Sequence, residues 1–299
     1  MGVIVIDNLT KCYGRRVGVE RLSLSVPQGS IFGFLGPNGA GKTTAIRVLL
    51  ALLRPTSGNA TIFGRDCWRD SHRIKRDIGY VPGDLRLHAW MTARSALRVF
   101  GEVRGRDLTN PGQALIEQLD LEPGVRVRNM SRGMRQKLGL ILALVHDPKL
   151  LILDEPTSAL DPLMQQALYD ELRCRAAAGT TIFFSSHTLS EVEVLCDRVA
   201  ILRKGRLVAD ETLEGLRTRA KREVILRWKP DAEVDGLAAP AFLDVKRRYP
   251  REWRCVLDGP AAELIKWASV QPLDDLTIGQ PELETVFQAY YEDEAGGAA

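Results

Sequence analysis

Long apolar runs are scarce in this sequence. Leu140 to Val145, a run that none exceeds, falls far short of the roughly 20 residues that a bilayer-spanning helix needs. No basic-then-apolar leader opens the given residues, so the expectation is a chain that does not cross a membrane by itself. Cysteine is sparse too: Cys12, Cys67, Cys174, Cys196 and Cys255 are odd in number and none stands in a C-x-x-C pair. That excludes a dense disulfide framework and points to a reducing compartment. The four histidines (His72, His88, His146, His187) are too scattered for the spacing of a zinc site. No basic run interleaved with aromatics occurs, so nucleic acid is not an expected partner. The net charge is only +3, but residues 1–219 carry +8 and residues 220–299 carry −5. A basic front half suits an anionic ligand such as a nucleotide, and it equally fits an ordinary solvated surface.

What is present is concentrated. The 299 residues, 45% of them hydrophobic, suffice for one large domain and a smaller one. Gly36-Pro37-Asn38-Gly39-Ala40-Gly41-Lys42-Thr43-Thr44 fits the pattern G-x-x-x-x-G-K-S/T. Ile31 to Leu35 before it reads as an apolar strand, and Ala45 to Leu50 after it as a helix. That order separates a phosphate cradle from a chance glycine cluster. Inward-turned backbone N–H groups and the helix N-terminus would hold a triphosphate. Lys42 would reach its outer phosphates, and Thr43 would ligate the Mg²⁺ that bridges them.

A second centre is Leu150-Leu151-Ile152-Leu153-Asp154-Glu155-Pro156. Four consecutive apolar residues closing on a turn read as a parallel strand buried on both faces, with its acids at the carboxyl end, where open α/β sheets bind ligands. Asp154 is placed for Mg²⁺ and Glu155 for polarising an attacking water. A third apolar run, Thr180 to Phe184, closes on Ser185-Ser186-His187. His187 is the histidine of the four that stands at a strand's carboxyl end, from which it would hydrogen-bond a γ-phosphate.

Around these centres, Val3 to Leu9 and Leu22 to Val26 read as strands joined by a polar turn containing Gly14 and Gly18. Tyr13 in that turn either stacks on an adenine or simply packs. Further strands are expected at Ala60 to Phe63, Ile78 to Val81, Arg198 to Leu202 and Arg206 to Ala209. Helices are expected at Thr92 to Val103, Gln113 to Leu119 and Thr212 to Thr218. Ser131 is a natural N-cap for a helix that continues through Lys137 to Val145.

The stretch Asn129-Met130-Ser131-Arg132-Gly133-Met134-Arg135-Gln136, the Asp-Glu strand after it and the loop Ser158-Ala159-Leu160-Asp161 together resemble the nucleotide-binding subunit of ATP-binding cassette (ABC) transporters. The resemblance covers about residues 3–215. It implies an α/β P-loop NTPase fold with a mixed sheet and a helical subdomain, and an ATPase that uses ATP and Mg²⁺. It also implies a second nucleotide-binding subunit paired head to tail, a separate transmembrane permease, and a place on the cytoplasmic face of the plasma membrane. Carried over by position, Ser131 and Gly133 would contact the γ-phosphate of the partner's ATP, Tyr13 would stack on the adenine, and Asp161 would link the two sites. Arg132 and Met134 replace the usual Gly and Gln, a variation that resembles exporters of the ABC-2 kind. Gly83 replaces the family's metal-touching glutamine; the expectation is that Asp84 turns inward and supplies an oxygen to Mg²⁺, with water bridging the remaining distance, and the alternative is that Asp84 is only a solvated residue of the Pro-Gly-Asp turn.

Residues 220–291 read as a small α+β accessory domain. Strands are expected at residues 222–228, Trp253 to Leu257 and Leu273 to Ile278, and helices at Ala261 to Val270 and residues 281–291. Trp228, Trp253 and Trp267 are expected in its core. Residues 292–299 read as a loose tail. This unit resembles the C-terminal extension of many ABC-2 ATPases. The competing functions are an ABC ATPase acting on ribosomes or DNA, a P-loop small-molecule kinase, and a nucleotide-binding module without turnover. The signature stretch and the Ser-Ala-Leu-Asp loop count against the kinase.

Overall fold

The computed structural model describes residues 2–287 apart from 233, 235, 282, 284 and 285. The chain divides into two compact units, residues 1–212 and 213–299. The first begins with a hairpin of β1 (Ile4–Tyr13) and β2 (Arg16–Val26), longer than the sequence implies: both strands run to a two-residue turn, and Gly18 lies inside β2. Next come β3 (Ile31–Leu35), α1 (Lys42–Leu49), β4 (Ser57–Ile62), β5 (Arg65–Asp66), α2 (Ser71–Ile74) and β6 (Ile78–Val81). Three helices then pack on one another: α3 (Ala93–Arg104), α4 (Thr109–Gln118) and α5 (Arg132–Leu144). The unit closes with β7 (Leu150–Asp154), α6 (Pro162–Ala177), β8 (Thr181–Ser186), α7 (Leu189–Leu195), β9 (Arg198–Arg203) and β10 (Arg206–Thr212).

Two sheets result. The antiparallel one has the order β2-β1-β4-β5, and the other has the order β10-β9-β3-β8-β7-β6. In the second, β3, β6, β7, β8 and β9 run parallel and only β10 is antiparallel, so the sheet is mixed. Every residue of β3, β7 and β8 is buried, which is what helices on both faces of a parallel sheet require. At the centre Phe32 stacks on Phe183, and Phe34 packs against Phe183 at a tilt. Polar groups therefore enter these three strands at their ends, and the carboxyl ends lie side by side: Asp154 pairs with Ser185, and Leu35 with Ser186.

Three helices among the described residues go beyond the expected set, the single-turn α2 and two others. α6 buries only Leu168, Tyr169 and Leu172, too few to give a strong helical period, yet it carries a start signal in Asp161 as N-cap and Pro162 at its first position. α7 is a short helix between β8 and β9.

The second unit consists of α8 (Leu213–Arg219), β11 (Arg222–Trp228), β12 (Leu243–Tyr249), β13 (Glu252–Leu257), α9 (Ala261–Ala268) and β14 (Leu273–Pro281). Its antiparallel sheet has the order β12-β13-β11-β14. β12 is absent from the sequence reading because it is an edge strand with one fully buried residue, Leu243, and a charged remainder. Trp228, Trp253 and Trp267 form the aromatic centre of this core, with ring centroids 5.0 and 6.5 Å apart from Trp228. Pro281 ends β14 rather than opening a helix. The rest of the helix expected over 281–291 is described only at Leu283, Val286 and Phe287, which are helical, and the expected tail lies outside the described residues.

Candidate functional site

The phosphate loop leaves β3 and enters α1 through Gly41, whose φ of +107° is a left-handed conformation that favours glycine. A Cβ there would also strike the Gly18 carbonyl oxygen at 2.3 Å. The loop lines a cavity of 410 Å³ with Tyr13, Arg16, Val17, Gly18, Arg47 and Glu155. Tyr13 is 44% exposed, so its ring is open to an aromatic ligand, while its hydroxyl stands 3.5 Å from Thr44 Oγ1. Lys42 is buried. Its ammonium donates to the Gly36 carbonyl at 2.6 Å and the Pro37 carbonyl at 3.3 Å, and lies 3.4 Å from Glu155 Oε1.

Strand order brings the three polar ends to this loop. Asp154 is 2% exposed and accepts from Thr43 Oγ1 at 2.9 Å on one oxygen and from Ser185 Oγ at 2.7 Å on the other. A buried carboxylate with two hydroxyl donors is stably held. Asp154 and Thr43 together form a hard, oxygen-only donor pair, the kind that suits Mg²⁺. Glu155 follows with φ of +51°, unusual for a residue with a Cβ, and its N–H donates to the Ser185 carbonyl at 3.1 Å. Its carboxylate lies between Lys42 and His187, whose Nδ1 is 3.4 Å from Glu155 Oε2. Tyr80 on β6 lies in the field of Asp154; burial first, then that charge, pushes its phenol up to about 12.

The remaining candidates stand apart from this cavity. Ser131 caps α5 by accepting from the Met134 N–H at 3.1 Å. Gly133 faces the Ala159 carbonyl, which an added Cβ would meet at 2.8 Å, and Arg132 reaches Ser158 Oγ at 3.3 Å. Asp161 caps α6 through Met164 N–H at 3.0 Å. The start of α5 and the Ser-Ala-Leu-Asp loop are therefore one surface, with Ser131 and Asp161 exposed on it. Asp84 does not take the expected inward position. Its side chain is 74% exposed and pairs with Arg86 at 2.9 Å, a contact two residues along the chain that holds it outward.

Two charged cavity residues escape the sequence reading, besides Val17 and Gly18. Arg47 stands four residues after Thr43 and so on the same face of α1, a spacing that makes it findable. Arg16 is paired with Tyr13 across the hairpin, which is visible only once the strands are known to reach the turn.

Comparison with known proteins agrees with this geometry. Residues 19–158 match the family model of the ABC transporter. The bacitracin transport ATP-binding protein BcrA of Bacillus licheniformis is 40% identical over 226 residues, 74% of this chain and 73% of the relative. The daunorubicin resistance ATP-binding protein DrrA3 of Streptomyces coeruleorubidus is 35% identical over 301 residues, 95% of this chain and 94% of the relative, so that similarity spans both units. A solved ATP-binding subunit of an ABC transporter is 29% identical with a TM-score of 0.68, over 72% of this chain and 92% of that one. A dimeric bacterial ABC transporter cassette, 22% identical with a TM-score of 0.64, covers 70% of this chain and 98% of its own and shares the fold.

Proposed function

Because the chain belongs to the ABC transporter family as an ATP-binding subunit with ATPase activity, we propose that it pairs with a second copy around ATP. In that arrangement it drives a separate permease from the cytoplasmic membrane face. Export is the favoured direction, since the relatives include a Nod factor export ATP-binding protein besides the bacitracin and daunorubicin proteins. No helix among the described residues is long and apolar enough to cross a membrane, so a separate permease would supply the pathway. The surface that carries exposed Ser131 and Asp161, with half-buried Gly133 beside Ser131, is the part of the chain that a second copy's nucleotide would meet.

The observation that carries the catalytic reading is the position of Glu155, 3.4 Å from both Lys42 and His187. In the proposed reaction a water oxygen bonds to the γ-phosphorus while the bond to the bridging oxygen of ADP breaks, and Glu155 takes the proton the water releases. Lys42 leaves its backbone carbonyls to meet the phosphates, and His187 donates to the γ-phosphate. Mg²⁺, held by Thr43 and Asp154, would neutralise the phosphate charge. The residues 220–291 act as an accessory domain that contributes none of these groups.

The test is Glu155→Gln, which keeps the shape and removes the proton acceptor. Turnover is expected to fall by roughly 10²–10⁴ while ATP still binds. Hydrolysis at the wild-type rate would reject Glu155 as the base.

A further inference from the structure

Glu191, in the first turn of α7, lies outside the cavity lining yet holds both polypeptide segments that carry the catalytic pair. Thr157 Oγ1, two residues past Glu155, donates to Glu191 Oε1 at 2.6 Å. Ser186 Oγ, directly before His187, donates to Glu191 Oε2. Both hydroxyls are buried, at 3% and 1% exposure, so neither has water as an alternative partner; Thr157 Oγ1 depends on this carboxylate, and Ser186 Oγ has the Thr188 carbonyl, at 3.2 Å, as its other acceptor. Ser186 Oγ in turn accepts from the Thr188 N–H at 2.8 Å, which closes the bend 186–188 from which the His187 side chain projects. The other side of the Glu155 loop is fixed separately: buried Gln136 Nε2 of α5 donates to the Pro156 carbonyl at 2.9 Å.

We propose that Glu191 is a positioning residue for hydrolysis: by joining Ser186 to Thr157 it sets the His187 imidazole against the Glu155 carboxylate. The inference rests on the roles given above to Glu155 and His187. The imidazole is 48% exposed, and the contact to Glu155 is long at 3.4 Å, so packing alone does little to hold it. What fixes it is the backbone bend, and Glu191 is the closer of the two acceptors that orient the hydroxyl closing that bend. A displacement of an ångström at a reacting centre costs on the order of a hundredfold in rate. The phosphate loop, which binds the nucleotide, has no hydrogen bond to Glu191 in this arrangement.

The experiment uses the full chain with Mg-ATP. Glu191→Ala is expected to lower kcat by about 10- to 100-fold with the KM for ATP changed by less than about threefold. In a His187→Ala background the same change is expected to cost less than about twofold more, because no imidazole remains to be placed. Ser186→Ala, which breaks one arm and leaves the carboxylate, is expected to reproduce the kcat loss, and it decides the matter if Glu191→Ala does not fold. Unchanged kcat in the folded variants, a KM that rises in step with the loss of kcat, or a full repeat of the loss in the His187→Ala background would each overturn the proposal. Glu155→Gln assayed alongside separates the two levels. Wild-type turnover in that control rejects the catalytic reading itself, whereas an inactive control beside an active Glu191→Ala rejects only the role of Glu191.

Discussion

The parallel sheet of the first unit and the antiparallel sheet of the second bury their residues in opposite ways. In β3, β7 and β8 nothing is exposed, whereas β11 and β13 alternate, with Val224, Leu226, Trp228, Trp253, Cys255 and Leu257 inward. A sheet covered on both faces has no room for polar side chains along its length, so Asp154, Ser185 and Ser186 gather at the strand ends beside the phosphate loop. A half-covered sheet can spread charge over its open face, and there the charges pair with each other: Arg227 bridges Glu252 and Asp275, and Arg254 also meets Glu252. Such exposed pairs contribute little stability. The architecture that forces polar groups together makes a reaction centre, and the one that disperses them makes a surface.

The strongest test of that contrast removes one aromatic from each core. Phe183 is fully buried, with ring centroids 5.9 Å from Phe32 and 5.1 Å from Phe34, and lies on β8 three residues before Ser186. Trp253 is 2% exposed, against Trp228. Each truncation to Ala is expected to cost its own unit about 3–5 kcal/mol. Phe183→Ala should weaken ATP binding along with thermal stability, while Trp253→Ala should lower stability alone. Thermal unfolding combined with nucleotide titration reads both quantities. A folded Trp253→Ala protein that has lost ATP binding would break the division of labour.

A smaller effect follows from histidine, which occurs only in the first unit. His146 is 5% exposed, and its Nε2 stands 3.1 Å from the Ile78 carbonyl. Burial first, then the charge of Arg104, lowers its pKa from 6.5 to about 4. The unfolded chain therefore binds a proton below pH 6.5 that the folded chain refuses until near pH 4. The stability gained by keeping His146 neutral is complete above 6.5 and is lost as the pH falls through that window. Between pH 7 and pH 5 the loss is roughly 1–2 kcal/mol. The first unit's unfolding transition should move to lower temperature on acidification and the second unit's should stay. His146→Gln, which does not titrate, should flatten the first unit's dependence, and an unchanged slope in that variant would place the sensitivity elsewhere.

The same contrast decides what was legible in the sequence. Runs such as Leu150 to Leu153 announce buried parallel strands because every residue is apolar, and the phosphate loop announces itself by glycines its backbone requires. β12 is illegible by the same logic: Lys246, Arg247 and Arg248 on an edge strand mask any alternation. α6 was open to reading through Asp161-Pro162 but not through its weak amphipathic pattern. Within the site, Asp154 and Glu155 follow from being at a strand end, whereas Glu191 becomes visible only when strand order brings Thr157 and Ser186 to it. Pairing across 34 residues is a tertiary fact with no local signature.

Asp84 supplies the smallest expected effect and the sharpest boundary of the site. Its neighbour Gly83 faces Asp154: a Cβ there would lie 3.3 Å from the Asp154 carbonyl oxygen and 3.7 Å from Oδ2, the oxygen that Thr43 also approaches. Asp84 leaves the chain on the other side, toward Arg86, with most of its surface in water. A carboxylate so placed has no line to the oxygens proposed to hold Mg²⁺. Asp84→Ala is therefore expected to leave turnover and the Mg²⁺ concentration for half-maximal activity within about twofold of wild type, the scale of losing one exposed ion pair. Gly83→Gln, by contrast, adds an oxygen on the side facing Asp154 and should lower the half-maximal Mg²⁺ concentration by about two- to threefold, since a further hard oxygen ligand favours the cation. A Mg²⁺ titration of ATP hydrolysis across both variants distinguishes the positions. If Asp84→Ala instead raises the Mg²⁺ requirement tenfold or more, on the order of 1.4 kcal/mol, then nucleotide binding turns that side chain inward. The site would then extend one residue beyond the strand ends that otherwise define it.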